Sequence, residues 1–231
     1  MEQFIENAVL ILLSIYIDGT NNFVHGFPCV AVCIGLTIDK EPVVGVVYNP
    51  MTRELFSAGK NLGARLGDRA LPLQRAPLVD LSQCIVATEI GSDRSTQAID
   101  KKIAFLHTLV RHRDDGGKQA RSVRATGSAA LNICNVAKGC VDVYWEVGCW
   151  EWDVCAAMVI VREAGGIVVS GSPQCQTDAP CNLFSRKYMA IRPAQSKDAQ
   201  MQIAREMWSI MPDIDAPRKD VPGGFMAEKT E

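Results

Sequence analysis

The chain has 231 residues, of which 48% are hydrophobic and 22% charged, with a formal net charge of −2. That is enough for one large domain or two small ones with a buried core. The near-neutral balance, with no arginine-rich stripe or basic tail, argues against nucleic acid as a partner, and no apolar run reaches the roughly 20 residues of a membrane span.

Residues 8–17 read as a buried strand. Two acids and no base precede them, which does not suit an export signal. Residues 30–38, 43–48 and 54–58 form three further apolar runs, joined by turns at 39–42 and 49–52. Such runs predict an antiparallel meander, with another hairpin or loop over 59–68. The chain then alternates. Strands are expected at 84–88, 141–147, 167–170 and 188–191. Helices are expected at 96–112, carried by Ile99, Ile103, Leu106 and Val110, at 128–138 stopped by Gly139, at 153–164 closed by Gly165-Gly166, and at 198–210. After Pro212 the tail is expected to fray. A β-rich half followed by an alternating half predicts a layered α/β architecture. The nine cysteines show no Cys-x-x-Cys and no zinc pattern, so they read as reduced core thiols of a cytoplasmic protein.

Three segments could carry chemistry. In Ile17-Asp18-Gly19-Thr20-Asn21-Asn22 an apolar strand ends on a carboxylate, with a hydroxyl two residues on. Asp18 is a hard oxygen ligand suited to Mg²⁺, although Asp-Gly is also ordinary turn chemistry. In Trp152-Asp153-Val154-Cys155-Ala156-Ala157, Asp153 stands where a helix begins, as a simple N-cap or as a metal ligand beside a bound phosphate. In Ala125-Thr126-Gly127-Ser128-Ala129-Ala130, Gly127 and Ser128 open a helix whose N–H groups can meet an anion or a hydroxyl, or simply cap it. Glu146, at a strand end, could accept bonds from substrate hydroxyls or be solvated.

Taken together these segments resemble the inositol monophosphatase family. The stretch from Ile17-Asp18-Gly19-Thr20-Asn21-Asn22-Phe23 to His25 and Pro28 matches the second half of its first signature. Trp152 to Ala157, with Glu163-Ala164-Gly165-Gly166, matches its second. Glu89-Ile90-Gly91-Ser92, Gly127-Ser128-Ala129-Ala130 and Tyr144-Trp145-Glu146 follow in the family's order. The resemblance implies an αβαβα sandwich of the sugar phosphatase type and a Mg²⁺-dependent, lithium-sensitive phosphomonoesterase acting on inositol monophosphate. Asp18 and Asp153 would bind the second Mg²⁺, and the Ile17 carbonyl would contribute to the first. Thr20 would orient the attacking water, and Gly19 and Thr20 N–H groups would hold the phosphate. Gly127, Ser128, Glu146 and Asp153 would meet the inositol hydroxyls.

The resemblance begins abruptly at residue 17 and covers about 17–212, β-rich to about 92 and alternating from about 93. Residues 1–16 are atypical. Ile15 stands where the family has an aspartate bridging both metals, and Tyr16 where it has a proline. The expectation is therefore a truncated member lacking the first helical layer and the first metal-site hairpin, with the first Mg²⁺ site lost, the second weakened, and little or no turnover. An alternative role is a non-catalytic partner of an intact paralogue. The missing helices would leave an apolar face for such a partner to cover, and the resemblance also implies a homodimer, since family members dimerise through sheet and loop surfaces.

Overall fold

The N-terminal apolar run forms strand β1 (Leu10–Asp18) in the computed structural model of the chain, which describes residues 9–74 and 76–218. β1 is one edge of a six-stranded antiparallel sheet. It continues in chain order through β2 (Ala31–Ile38), β3 (Glu41–Asn49), β4 (Glu54–Gly59), β5 (Gly63–Leu66) and β6 (Arg69–Ala70). The meander is present, with a tighter first turn. Asp39 and Lys40 make it with positive φ, and Pro42 already lies in β3, opposite Thr37 beside a register shift.

β1 is not the buried strand expected. Leu13 is buried, whereas Leu10 and Leu12 are exposed. Successive side chains point to opposite faces of a sheet, and among the described residues only one face of this sheet is packed. Between Asp18 and β2 the chain also makes a six-residue helix, α1 (Thr20–His25), which has no buried residue and no apolar periodicity to announce it.

The alternating half builds a mixed sheet from β7 (Ile85–Thr88), β8 (Ser122–Arg124), β9 (Val143–Val147), β10 (Ile167–Ser170) and β11 (Lys187–Ile191), in the order β10-β11-β9-β7-β8. β7 is parallel to β8 and β9, while β11 is antiparallel to β9 and β10. The helices are α2 (Thr96–Val110), α3 (Ala129–Lys138), α4 (Glu151–Glu163) and α5 (Lys197–Trp208). Ser95, Ser128 and Ser196 cap three of them through their side chains. The fourth, α4, begins two residues earlier than Asp153. Asp153 therefore sits in its first turn and reaches back to the cap, its Oδ2 accepting from the Trp150 N–H at 2.7 Å.

Helices α3 and α4 lie between the sheets. Their core joins Cys33, Val47 and Phe56 of the first sheet to Tyr144 and Tyr188 of the second. Helices α2 and α5 cover the second sheet's other face, packing Phe105, Leu109, Met201 and Met207 on Trp145 and Met189. The layer order is sheet, helix, sheet, helix. This is a layered α/β sandwich, as expected, and among the described residues Leu12, Ile34 and Val44 on the outer face of the first sheet stand exposed.

Helix α4 lies so close to the first sheet that β3 needs glycine beneath it. A Cβ on Gly45 would stand 2.1 Å from the Ala156 carbonyl oxygen, and one on Gly35 would stand 2.7 Å from Cys155 Sγ. Backbone cannot yield as a side chain can. Gly45→Ala is expected to cost about 2–3 kcal/mol, read as a lower urea midpoint, with Gly35→Ala costing less.

The C-terminal residues behave differently from the expected frayed tail as far as they are described. Ile214 is buried, and Arg218 pairs with Glu151 at 2.8 Å. Residues 219–231, and residues 1–8 of the atypical N-terminal segment, lie outside the described residues. Among the described residues no helix is long and apolar enough to cross a membrane.

Candidate functional site

The end of β1, the start of α3 and the start of α4 meet at one place. Asp18 ends β1, and the chain turns sharply after it. Gly19 has φ 82°, and a Cβ there would stand 2.5 Å from the Cys29 carbonyl oxygen, so only glycine fits. Asp18 Oδ2 accepts from Ser128 Oγ at 2.5 Å and from the Ala130 N–H at 2.9 Å. The same Ser128 Oγ accepts from the Leu131 N–H at 3.1 Å. One hydroxyl therefore caps α3 and ties it to β1.

These junctions enclose a cavity of about 560 Å³, whose lining includes Asp18, Glu89, Gly127, Glu146, Trp150 and Asp153. Its size and its position beyond the ends of β7 and β9 suit a small ligand. Of the residues singled out in the sequence, Asp18, Gly127, Glu146 and Asp153 face this cavity. Ser128 is buried behind Asp18. Ile17, Gly19 and Thr20 are not in the lining. Exposed Thr20 opens α1, and its Oγ1 donates to the Ile17 carbonyl at 3.4 Å.

Burial sets the electrostatics. It raises the Asp18 carboxyl above the usual range, against the hydrogen bonds from Ser128 and Ala130. It pushes Asp153 up to about 7, with the Asp18 charge adding to the effect. Glu146 is pushed up to about 8, again by burial first, while the Tyr144 hydroxyl bonds to it and opposes the shift. Crowded, poorly hydrated carboxylates of this kind gain from a cation. Among the described residues no group of three or more His, Cys, Asp or Glu is arranged to cage a metal alone. Asp18 and Asp153 do suit Mg²⁺, which keeps several waters and is commonly held by one or two carboxylates together with a substrate phosphate.

Two residues that sequence reasoning gave no role hold the site together. Glu89 Oε1 accepts from the Thr126 N–H at 2.7 Å, the Gly127 N–H at 2.8 Å and Asn132 Nδ2 at 2.9 Å. Asn22 Nδ2 donates to the Cys29 carbonyl at 2.8 Å and the Thr126 carbonyl at 2.7 Å. The turn before α3 is thus clamped from α1 and from the loop that follows β7. Lys102, buried on α2, donates to the carbonyls of Glu89 and Ile90. Trp150 walls the cavity with its ring 5.1 Å from Trp152 and the Arg186 guanidinium 3.7 Å above it. Glu89 and Asn22 both lie in the segments that resemble the family's motifs, but a partner more than a hundred residues away for Asn22 leaves no local signal.

The model of the inositol monophosphatase family matches residues 17–211. Inositol monophosphatase 2 of Saccharomyces cerevisiae is 42% identical over 196 residues, covering 83% of this chain and 64% of the yeast protein. Quinic acid degradation cluster protein x of Neurospora crassa is 35% identical over 221 residues, covering 87% of this chain and 65% of its own length. The solved inositol monophosphatase of Anabaena superimposes with a TM-score of 0.72 at 30% identity, covering 87% of this chain and 72% of that one. The chain belongs to the inositol monophosphatase family. It spans just under two thirds of the length of the two curated relatives named.

The segments that resemble the inositol monophosphatase signatures are those that form the junctions: residues 17–28 turn from β1 into α1, and Trp152 to Ala157 open α4. Glu146 has a testable consequence of its own. Its folded-state value of about 8 lies above the ordinary 4.5, so the native state disfavours its charge. Below pH 4.5 both states hold the proton and nothing is lost. As pH rises towards 8 the unfolded state ionises first, and stability falls. Glu146→Gln is therefore expected to be close to neutral at pH 4.5. It should stabilise the cation-free protein by roughly 2–4 kcal/mol at pH 8, measured by urea unfolding at both pH values.

Proposed function

We propose that this chain carries a Mg²⁺-dependent phosphomonoesterase site for a small phosphorylated polyol, inositol monophosphate in particular. The observation that carries the reading is the convergence of Asp18 and Asp153, far apart in the sequence, on one cavity. In this reading the two carboxylates hold one Mg²⁺, with the Ile17 carbonyl adjoining a second position. Gly19 and Thr20 N–H groups hold the phosphate, and the Thr20 hydroxyl orients the water for in-line attack. Gly127 and Glu146 meet the polyol hydroxyls, with the free face of Asp153 beside them, while Ser128, buried and bonded to Asp18, serves by holding that carboxylate rather than by touching the polyol. When bound, Mg²⁺ supplies Lewis-acid activation and stabilises charge on the leaving oxygen.

The sequence has isoleucine at 15, a residue type without an oxygen donor, where the family carries an aspartate, so in this reading the position beside Ile17 is poor in ligands among the described residues and little turnover is expected. The relatives' names point both to inositol phosphates and to quinic acid degradation, and the carboxylate-rich lining with Glu146 favours a polyol over a second anionic group. The test is phosphate release from inositol 1-phosphate, together with calorimetric titration of that ester, each with and without Mg²⁺. Slow release and ester binding that both require Mg²⁺ are expected. Absence of both at millimolar Mg²⁺ would refute the reading.

A further inference from the structure

Past α5 the chain runs as a strap to the rim of the cavity. Met211 and Ile214 are buried in the core that α2 and α5 share with the second sheet. The Asp213 carboxylate is 3.2 Å from Lys187 Nζ at the start of β11, and its carbonyl accepts from Lys101 Nζ of α2 at 2.6 Å. At the strap's end Arg218 forks onto Glu151 in the first turn of α4, with Nη1 and Nη2 at 3.1 and 2.8 Å from the two carboxylate oxygens. Nη1 also donates to the Phe184 carbonyl at 3.2 Å. The match to the family model ends at residue 211, just before these contacts.

The contacts bear on one side chain. Trp150 precedes Glu151 and, among the described residues, is the one aromatic in the cavity lining. The Arg186 guanidinium lies 3.7 Å from its ring centroid and the Arg218 guanidinium 5.3 Å from it, and cations over an indole face are attracted to it. Buried Arg186 ties strap to wall. It donates from Nη1 to the Pro217 carbonyl and from Nη2 to the Gly148 carbonyl at 2.5 Å. Gly148 also lines the cavity, and its N–H donates back to the Arg186 carbonyl at 2.8 Å. Glu151 is buried, and a buried carboxylate without its cation is strongly disfavoured. The strap is therefore held to the start of α4.

We propose that residues 213–218 set the wall of the cavity, with Arg218 and Arg186 as positioning residues that hold Trp150 against the ring of a bound cyclic polyol. The ligand in this inference rests on the phosphomonoesterase reading. Asp18, Glu89, Glu146 and Asp153 give the cavity four carboxylates, which suit a cation and hydroxyls. The C–H surface of a cyclic polyol needs an apolar wall as well, and Trp150 supplies it.

Calorimetric titration of the whole chain with inositol 1-phosphate at millimolar Mg²⁺ tests this as a double-mutant cycle. Arg218→Ala and Trp150→Ala should each weaken ester binding about tenfold, and the pair should bind no more weakly than Trp150→Ala alone. Losses that multiply, or wild-type affinity in Arg218→Ala, overturn the proposal. Should Arg218→Ala fail to fold with Glu151 left alone, adding Glu151→Gln removes that charge, and the same result is expected. Amide exchange needs no ester. The Gly148 and Trp150 amides, bonded to Arg186 and Asp153, should exchange about tenfold faster in the folded Arg218 variant, with the Leu131 amide of α3 unchanged. Equal rates at 148 and 150, or an acceleration that Leu131 shares, overturn the proposal. No ester binding by the wild type refutes the phosphomonoesterase reading instead, and exchange then decides the strap by itself.

Discussion

Asp153→Asn is expected to abolish Mg²⁺-dependent phosphate release and to lower Mg²⁺ affinity at least a hundredfold, while making the cation-free protein more stable. The two effects share one cause. The asparagine carbonyl oxygen can still accept from the Trp150 N–H, as Asp153 Oδ2 does at 2.7 Å, so the first turn of α4 keeps its geometry. What disappears is the charge. Burial lifts the Asp153 carboxyl to about 7 from an ordinary 3.8, so its ionised form is a liability in the empty native state at pH 7.5. Removing it should gain roughly 2 kcal/mol or more there, and close to nothing at pH 4. Added Mg²⁺ stabilises any protein that binds it in proportion to the logarithm of concentration over Kd. Thermal melts should therefore cross: the wild type gains with Mg²⁺ and overtakes the variant, whose melting temperature stays flat. A variant less stable than the wild type without Mg²⁺ would show that Asp153 is only a helix cap.

Glu89→Ala is the second large effect, acting on stability and on the site together. One oxygen of Glu89 takes three donors, the Thr126 and Gly127 N–H groups and Asn132 Nδ2. Alanine leaves all three without that partner; the Thr126 N–H and Asn132 Nδ2 are part-buried, and each costs its desolvation rather than the net worth of a hydrogen bond, while the exposed Gly127 N–H can turn to water. A loss of about 3–5 kcal/mol is expected, read from urea unfolding. Glu89→Gln, which keeps an acceptor oxygen, should recover about half of it. The turn that loosens carries Ser128, whose hydroxyl holds Asp18, so Mg²⁺ affinity should fall in the alanine variant as well.

Much of the fold is legible because its local rules agree with its tertiary packing. The meander from β2 to β4 alternates buried and exposed positions, and α3 announces both of its ends through Ser128 and Gly139. Three features are not legible for physical reasons. α1 buries nothing, so no periodicity marks it. β1 reads as buried because its residues are apolar, and a sequence cannot say which face of a sheet goes uncovered. The start of α4 at Glu151 rests on a side chain reaching back to Trp150, so the visible aspartate looks like the cap itself.

The site divides along the same line. Asp18, Gly127, Glu146 and Asp153 are visible as residue types at strand and helix ends, and they share one cavity. Their supports, Glu89, Asn22 and Arg186, work through contacts across the fold that no local pattern records.

Crystals of the chain soaked in Mn²⁺, a stand-in for Mg²⁺ with an anomalous signal, address the central claim most directly. The account predicts one anomalous peak within bonding distance of carboxylate oxygens of both Asp18 and Asp153, lost in Asp153→Asn. A peak bound elsewhere, or none at saturating Mn²⁺ with both carboxylates ordered, would contradict it.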